Sequence, residues 1–235
     1  MTDAKPYRPR FPMTMSQPAG WLDHRFPLSY RDVQELLHQR GIEVSHETLR
    51  ESCIKFEPRF AEDLRHRESR RGSRWFLDEV CTTIAGGRHR LWRAVDEHGS
   101  VQGIFQRHRD PEAAKTFLTI LLGEHGVPEV IHTDGLRNYG VAIWELPSLR
   151  DVNYQKVIFT ARCNNLIEQE HRPTRRQERS QQGLGRRKRA QSFLSLHACI
   201  TNLHQHSRRG VSASTGRQHQ KHVFQTWSAV AAGVA

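Results

Sequence analysis

The hydrophobic residues near the N-terminal end of the chain recur at helical spacing. Three apolar positions fall on one face of a helix: Val33, Leu36 and Leu37. Ser29 precedes them and Asp32 lies three residues after Ser29, which predicts a capping box at the start of this helix. Gly41 ends the helix, because glycine is favoured just past a helix C-terminus.

A second helix is expected to follow after a short turn. Ser45 is placed to cap it, and its apolar residues run through Leu49 to about Phe56. Two helices joined by a glycine-containing turn are typical of a helix-turn-helix unit. The polar residues that the second helix would expose toward base edges are His46, Glu47 and Arg50. We therefore predict DNA contacts for His46 and Arg50, and the alternative is a plain helical hairpin that packs on the next domain.

The segments on either side of these two helices lack such a pattern. Residues 1–26 contain four prolines and scattered arginines, so we interpret them as a flexible arm. Residues 58–73 contain five arginines and end in Gly72-Ser73, so we interpret them as a charged linker. Residues 27–70 are accordingly assigned to a helix-turn-helix DNA-binding region with its basic linker.

The pattern changes to short β-type runs after this linker. Residues 75–84, 91–95 and 101–105 are rich in aromatic and branched residues, and turn signals at Gly86-Gly87 and at 96–100 separate them. Three short strands with tight turns predict an antiparallel meander.

An amphipathic helix and a fourth strand follow the meander. Asp110 and Pro111 have the residue types of an N-cap and a first helical position. The apolar residues after them recur at helical spacing: Ala114, Phe117, Leu118 and Leu121. A short apolar strand then leads to Thr133, and a right-handed crossover would lay it parallel to the first strand. The fold class predicted is α/β, with a mixed sheet.

The C-terminal third carries one further helical pattern. Four apolar residues recur at the spacing of a last amphipathic helix: Phe193, Leu196, Ile200 and Leu203. Residues 164–170 resemble the start of another helix. Residues 208–235 show no clear pattern, so we interpret them as a mobile tail.

Three acidic residues are candidates for a shared metal site. Asp78 lies in the middle of the first strand, on the face that also carries Phe76 and Val80. Asp134 follows the fourth strand, at the edge where open α/β sheets place their ligands. If these strands are neighbours, the two carboxylates converge and favour a divalent cation, and Glu168 could complete an all-oxygen site.

Simpler interpretations of the three acids remain open. Asp134 with the following glycine is a common turn sequence, and Asp78 could pair with an arginine. Glu168 by itself is an ordinary acid at a helix start.

Overall charge points to a polyanionic partner. The formal net charge is +11 and the isoelectric point is about 10.1, which favours nucleic acid. Residues 172–189 have a net charge of +7, from eight basic residues and one acid. The basic residues of this segment are Arg172, Arg175, Arg176, Arg179, Arg186, Arg187, Lys188 and Arg189. Because a solvated surface usually mixes signs, we favour phosphate contacts over a plain charged face.

Other classes of protein fit the composition poorly. The chain contains no apolar run of about 18 residues and no apolar segment at its start, which argues against a membrane span and a secretory signal. Its four cysteines are far apart, which argues against a disulfide scaffold and favours the cytoplasm.

Several segments together resemble one known family. The stretches are SYRDVQELLHQRGIEVSHETLR, WFLDEV, LWRAVDEHGSV, AAKTFL, VIHTDGLRNYG and NNLIEQEHRPTRRQER. In this order, over about residues 25–205, they resemble the DDE transposases of the bacterial insertion-sequence-six family. The resemblance implies a helix-turn-helix domain followed by a ribonuclease H-like catalytic domain at residues 71–207.

The resemblance also implies roles for individual residues and partners. The catalytic and metal-binding triad falls on Asp78, Asp134 and Glu168, with two Mg²⁺ or Mn²⁺ ions as cofactors, and Arg175 matches the family's basic residue seven positions after the glutamate. The implied partner is double-stranded DNA, both terminal inverted repeats and target. A homodimer or larger assembly acting at the bacterial nucleoid is also implied. The alternative is a catalytically inactive DNA-binding remnant or inhibitor from a decayed element.

Overall fold

A mixed five-stranded sheet forms the centre of the molecule. The computed structural model describes residues 13–67, 72–156, 186–204 and 212–234. The strands are β1 (Arg74–Ile84), β2 (Gly87–Asp96), β3 (Val101–Gln106), β4 (Val130–Thr133) and β5 (Asn153–Lys156). Their order across the sheet is β3-β2-β1-β4-β5, with β1 to β3 antiparallel, β4 parallel to β1, and β5 parallel to β4. The predicted α/β fold, with a mixed sheet of three antiparallel strands plus parallel strands, is confirmed.

One face of the sheet is covered by helices α4 (Pro111–His125) and α5 (Arg137–Glu145). Alternation along the strands turns the large apolar residues of β1 and β2 toward these helices. The core of this face includes Trp75, Leu77, Trp92, Phe117, Leu118 and Tyr139. A short 3-10 helix, Pro147–Leu149, then leads toward β5.

The opposite face packs against α6 (Arg187–His204), the amphipathic helix predicted near the C-terminal end. The helix approaches the sheet closely at Gly103 on β3. A Cβ atom at Gly103 would lie 3.1 Å from Leu194 Cδ2 of α6 and 3.5 Å from Arg93 Cγ of β2. Leu91 Cδ1 of β2 would lie 3.2 Å from the same Cβ, so the glycine makes room for three side chains that fill this interface.

The remaining helices form a bundle together with α6. They are α1 (Met13–Arg25), α2 (Tyr30–His38), α3 (His46–Arg67) and α7 (Ala213–Val234). The apolar core of the bundle joins α3, α6 and α7: Phe56, Phe60, Leu64, Leu196, Ile200, Trp227 and Val230. A smaller cluster packs α2 against α1 and α3 through Ala19, Val33, Leu37, Val44 and Leu49. None of the helices described is both long and apolar enough to cross a membrane.

The predicted helix starts are confirmed at atomic detail. Ser29 and Asp32 form the reciprocal capping box of α2, with N···O distances of 3.2 and 2.7 Å. Ser45 Oγ accepts a hydrogen bond of 3.2 Å from the Thr48 amide at the start of α3. Asp110 caps α4 with a 2.8 Å bond from the Ala113 amide.

Three predicted irregular segments are wrong where the structure describes them. Residues 13–25 of the predicted flexible arm form α1, in which Asp23 and His24 are buried. Residues 58–67 of the predicted linker continue α3 past Pro58. Residues 213–234 of the predicted mobile tail form α7, whose Trp227 packs against Phe60 with ring centroids 5.0 Å apart. These helices form because partners distant in sequence cover their apolar residues.

A buried charge cluster joins four helices of the bundle. Glu57 of α3 is 1% exposed and forms an ion pair with Arg189 of α6, whose guanidinium also bonds Tyr30 Oη at 3.3 Å. Nε2 of His24 on α1 lies 3.4 Å from Glu57 Oε1. Arg189 was predicted to contact DNA, and its side chain is engaged with Glu57 inside the bundle.

Replacing Arg189 should destabilise the fold. Arg189→Gln leaves the Glu57 carboxylate buried without its cationic partner, so the free energy of unfolding should fall by on the order of 3 kcal/mol in urea titrations. Arg187→Gln removes an exposed arginine from the same helix and should change it by less than about 0.5 kcal/mol. Equal losses in the two variants would contradict the assigned ion pair.

Two histidines, His197 buried and His204 half-buried, should make stability depend on pH. Burial lowers the pKa of His197 to about 4, helped by the charge of His24, and burial with nearby Arg25 lowers the pKa of His204 to about 4. Both rings stay neutral in the fold but take up protons in the unfolded chain below about pH 6.5. Stability should therefore fall as the pH drops from 6.5 toward 4.

The variant that isolates this effect is His204→Gln. Its side-chain oxygen can still accept the 3.2 Å hydrogen bond that Trp21 Nε1 donates to His204 Nε2. The urea midpoint of this variant should fall less steeply over pH 6.5–4 than that of the parent chain. The exposed His108→Gln serves as control and should keep the parent's slope. A His204→Gln slope equal to the parent's would contradict the assignment.

Candidate active site

The pairing of β1 with β4 brings two of the three predicted acids together. The parallel register matches Phe76 with His132 and Leu77 with Thr133. Asp78 directly follows Leu77 and Asp134 directly follows Thr133, so each acid lies one residue beyond the last pair. Because neighbouring strands lie roughly 4.8 Å apart, the two backbones are adjacent at this point.

The side chains just before the acids show which face is shared. The rings of Phe76 and His132 stack with centroids 4.6 Å apart and planes 9° from parallel. Side chains two residues apart on a strand point the same way, so Asp78 lies on the same face as Phe76. Burial, with a contribution from Arg74, lowers the pKa of His132.

Asp134 lies in a tight turn directly after β4. Its Oδ1 accepts a 3.1 Å hydrogen bond from the Leu136 amide, and Gly135 has φ +84°. Thr133 Oγ1 accepts a 3.2 Å bond from the Gly135 amide. The turn interpretation of this sequence is therefore correct, and the same turn presents an exposed carboxylate whose orientation the backbone fixes.

Asp78 is partly exposed, and it lies opposite an arginine of the neighbouring strand β2. Its cross-strand partner on β2 is Arg93, which is only 2% exposed. Arg93 in turn lies opposite Gly103 of β3. Arg93 is therefore the arginine paired with Asp78 in the register of the sheet. The sequence pattern did not single out this residue.

Glu79, the neighbour of Asp78, points to the other side of the sheet. Its side chain is 4% exposed and forms ion pairs with Arg109 and, at 3.8 Å, with Arg90. Burial raises the pKa of Glu79 despite these two cations, and the negative charge of Asp134 acts in the same direction. Glu79 therefore connects β1 to the loop before α4, and its arginines make it a poor ligand for a cation.

Tyr139 of α5 is a third residue at this site that sequence reasoning missed. It is fully buried, and its hydroxyl donates a 3.2 Å hydrogen bond to the main-chain carbonyl of Asp78. Its pKa is raised well above the usual value by burial and by the charges of Asp78, Glu79 and Asp134. The sequence feature that could have pointed to Tyr139 is its position five residues after Asp134.

The third predicted acid lies outside the described residues. Glu168 belongs to the segment 157–185, together with the predicted DNA contacts Arg172, Arg175, Arg176 and Arg179. The described geometry therefore comprises two of the expected three acids, on adjacent strands. Carboxylate oxygens are the ligands that a hard divalent cation such as Mg²⁺ prefers.

Comparison with known proteins identifies the family of this sheet and its acids. A sequence model of a family described as a DDE domain matches residues 72–207. The chain belongs to the DDE transposases of the insertion-sequence-six family. Membership assigns it to the polynucleotidyl transferases, enzymes that break and join phosphodiester bonds.

Individual relatives are similar over most of the chain. The transposase for insertion sequence-like element IS431mec of Staphylococcus aureus strain N315 is 28% identical over 188 residues, which cover 80% of this chain and 83% of the relative. The transposase for insertion sequence element IS257 in transposon Tn4003, also from Staphylococcus aureus, matches to the same extent.

Solved structures of retroviral integrases are more distant. The HTLV-2 integrase catalytic core domain in complex with magnesium (trimeric form) is 12% identical, with a TM-score of 0.41 over 63% of this chain and 93% of that one. The simian T-cell lymphotropic virus intasome in complex with PP2A regulatory subunit B56 gamma is 16% identical, with a TM-score of 0.42 over 61% of this chain and 53% of that one.

The other predicted DNA contacts of the transposase lie at helix starts. Arg186, Arg187 and Lys188 are exposed at the beginning of α6. In the helix-turn-helix region, Arg50 is exposed and bonds Glu47 at 3.1 Å. His46 is partly exposed, and both its amide and its ring Nδ1 contact Gln34 Oε1, at 2.9 and 3.2 Å.

A second group of possible metal ligands lies away from these acids. Within the described segments, Asp23, His24 and Glu57 place ligand atoms within 4.8 Å of one another. The guanidinium of Arg189 already forms an ion pair with Glu57. Its positive charge would repel a metal cation bound to the same carboxylate. We interpret this group as the buried charge cluster of the bundle.

Replacing the turn glycine beside Asp134 should cost stability. Gly135→Ala meets open space but forces a non-glycine residue to φ +84°, so the free energy of unfolding should fall by about 1–2 kcal/mol. The matched control is Gly123→Ala at an exposed position of α4. Alanine is favoured in a helix, so this change should raise the free energy of unfolding by about 0.5–1 kcal/mol. Urea unfolding measures both, and a Gly135→Ala variant as stable as the parent would show that the turn tolerates side chains.

Proposed function

We propose that this chain is a DNA transposase that binds the terminal inverted repeats of its insertion sequence and catalyses metal-dependent strand cleavage and strand transfer. The observation that carries the proposal is the adjacency of Asp78 and Asp134 on two parallel strands of a DDE-family fold. Two carboxylates brought side by side repel each other, and a cation between them relieves that repulsion.

Asp78, Asp134 and Glu168 are the proposed ligands of the metal ions. When bound, two Mg²⁺ or Mn²⁺ ions activate the attacking oxygen and stabilise the leaving oxygen of an in-line displacement at phosphorus. The Asp134 carboxylate is oriented by its turn and exposed, so this side of the site is accessible to DNA from solvent. Glu79, held by Arg109 and Arg90, supports β1 beneath the site.

DNA is proposed to bind at two groups of basic residues. One comprises Arg172, Arg175, Arg176 and Arg179, with Arg186, Arg187 and Lys188 at the exposed start of α6. Such residues would neutralise backbone phosphates and make binding weaken steeply with salt. The other group, His46 and Arg50 of α3, would contact base edges of the terminal repeats.

Assembly and place of action follow from the chemistry. Joining two ends of one element to a target requires both ends in one complex, so we propose a homodimer or a larger assembly. We propose that it acts in the cytoplasm, at the bacterial nucleoid, because its proposed substrate is DNA.

Three single substitutions test the proposed triad. Asp78→Asn, Asp134→Asn and Glu168→Gln each remove one negative charge without changing side-chain size. Each should reduce Mg²⁺-dependent cleavage and strand transfer to the level of a metal-free control, while binding to the end fragments of the encoding element persists. Gel assays on those labelled fragments measure both properties.

The control and the contrary outcomes are specific. Asp151→Asn changes an exposed acid before β5 and should retain parental activity. Parental strand transfer by any of the three triad variants would overturn the assignment of that acid. A purified parent chain that binds the ends but yields no metal-dependent product would instead support the inactive DNA-binding remnant.

A further inference from the structure

Tyr139 connects the two strands that carry the proposed metal ligands. It lies in the first turn of α5, five residues after Asp134, and it is completely buried. Its hydroxyl reaches across to β1 and donates to the main-chain carbonyl of Asp78 at 3.2 Å. One side chain therefore ties the helix that follows Asp134 to the backbone at Asp78.

This bond lies where the sheet itself stops holding the strands together. The last β1–β4 pair is Leu77 with Thr133, so the carbonyl of Asp78 is one residue beyond the ladder. The Tyr139 hydrogen bond therefore adds a link between α5 and the backbone of β1 beyond the last β1–β4 pair.

The surroundings of Tyr139 fix the position of its ring. Its ring packs edge-on against Trp92 with centroids 5.2 Å apart, inside the core between the sheet and α4.

We propose that Tyr139 is a positioning residue that fixes the separation of Asp78 and Asp134 and thereby sets the metal affinity of the site. This inference rests on the proposed function, because it concerns the same two acids. Tyr139 touches neither metal nor DNA in this role and acts through the backbone of Asp78.

The test is Tyr139→Phe, which removes only the hydroxyl. Calorimetric titration of the full chain with Mn²⁺ should show an affinity about 10-fold weaker than the parent's, the usual effect of losing a residue that orients metal ligands. The Mg²⁺ concentration for half-maximal cleavage should rise by a similar factor, while the rate at saturating Mg²⁺ stays close to the parent's. Tyr30→Phe, at a buried tyrosine of the bundle, should leave Mn²⁺ affinity unchanged.

The outcomes separate this inference from the function beneath it. Parental Mn²⁺ affinity and Mg²⁺ dependence in Tyr139→Phe, with both lost in Asp78→Asn, would overturn the role of Tyr139 and leave the proposed function standing. A parent chain without Mn²⁺ binding or metal-dependent cleavage would remove the proposed function itself.

A second measurement does not require the Tyr139 variant to fold. The chain has four tyrosines, and replacing the other three by phenylalanine leaves Tyr139 as the sole site for 3-fluorotyrosine. Mn²⁺ should broaden the fluorine resonance of this chain strongly at substoichiometric metal, and Asp134→Asn should abolish the broadening. An unbroadened signal at saturating Mn²⁺ would place the metal away from Tyr139 and overturn the inference.

Discussion

The parallel pairing of β4 with β1 is the constraint on which the rest of the site depends. It is a non-local contact, made after the chain has passed through β2, β3 and α4, and it covers only four residue pairs. Its free energy comes less from these few hydrogen bonds than from the apolar core beneath them, where Trp75, Leu77 and Ile131 pack against α4 and α5. The same core fixes the register, because a slip of one residue would turn Leu77 to the wrong face and would separate Asp78 from Asp134.

The helical bundle and the sheet are mechanically linked through α6. One face of this helix packs on β3 through Leu194, and its other apolar residues pack with α3 and α7. The ion pair of Arg189 with Glu57 adds a polar contact between α6 and α3. The helices proposed to read DNA ends and the sheet proposed to cut them therefore share one helix, so that the orientation of one with respect to the other is set by packing.

Sequence reasoning succeeded where the signal was local. The capping box at Ser29, the N-cap at Asp110 and the three-stranded meander depend on residues close together in the chain, and all agree with the structure. It failed for α1 and α7, because proline, glycine and scattered polar residues hide helices whose stability comes from distant partners. At the site, the strand pattern predicted that Asp78 and Asp134 would converge, whereas Tyr139, Arg93 and the ion pairs of Glu79 depend on side-chain directions that periodicity does not encode.

The adjacent acids Asp78 and Glu79 show how one strand can separate two roles. Alternation sends them to opposite faces of β1, so that residues with nearly identical chemistry meet different surroundings. Glu79 is buried and compensated by Arg109 and Arg90, which makes it an internal tie between β1 and the loop before α4. Asp78 is partly exposed on the other face, beside the end of β4, where a second carboxylate arrives. Since a buried carboxylate paired with arginine has its charge already satisfied, Glu79 is a poor ligand for the proposed cation, and the proposed ligands at this edge of the sheet are Asp78 and Asp134.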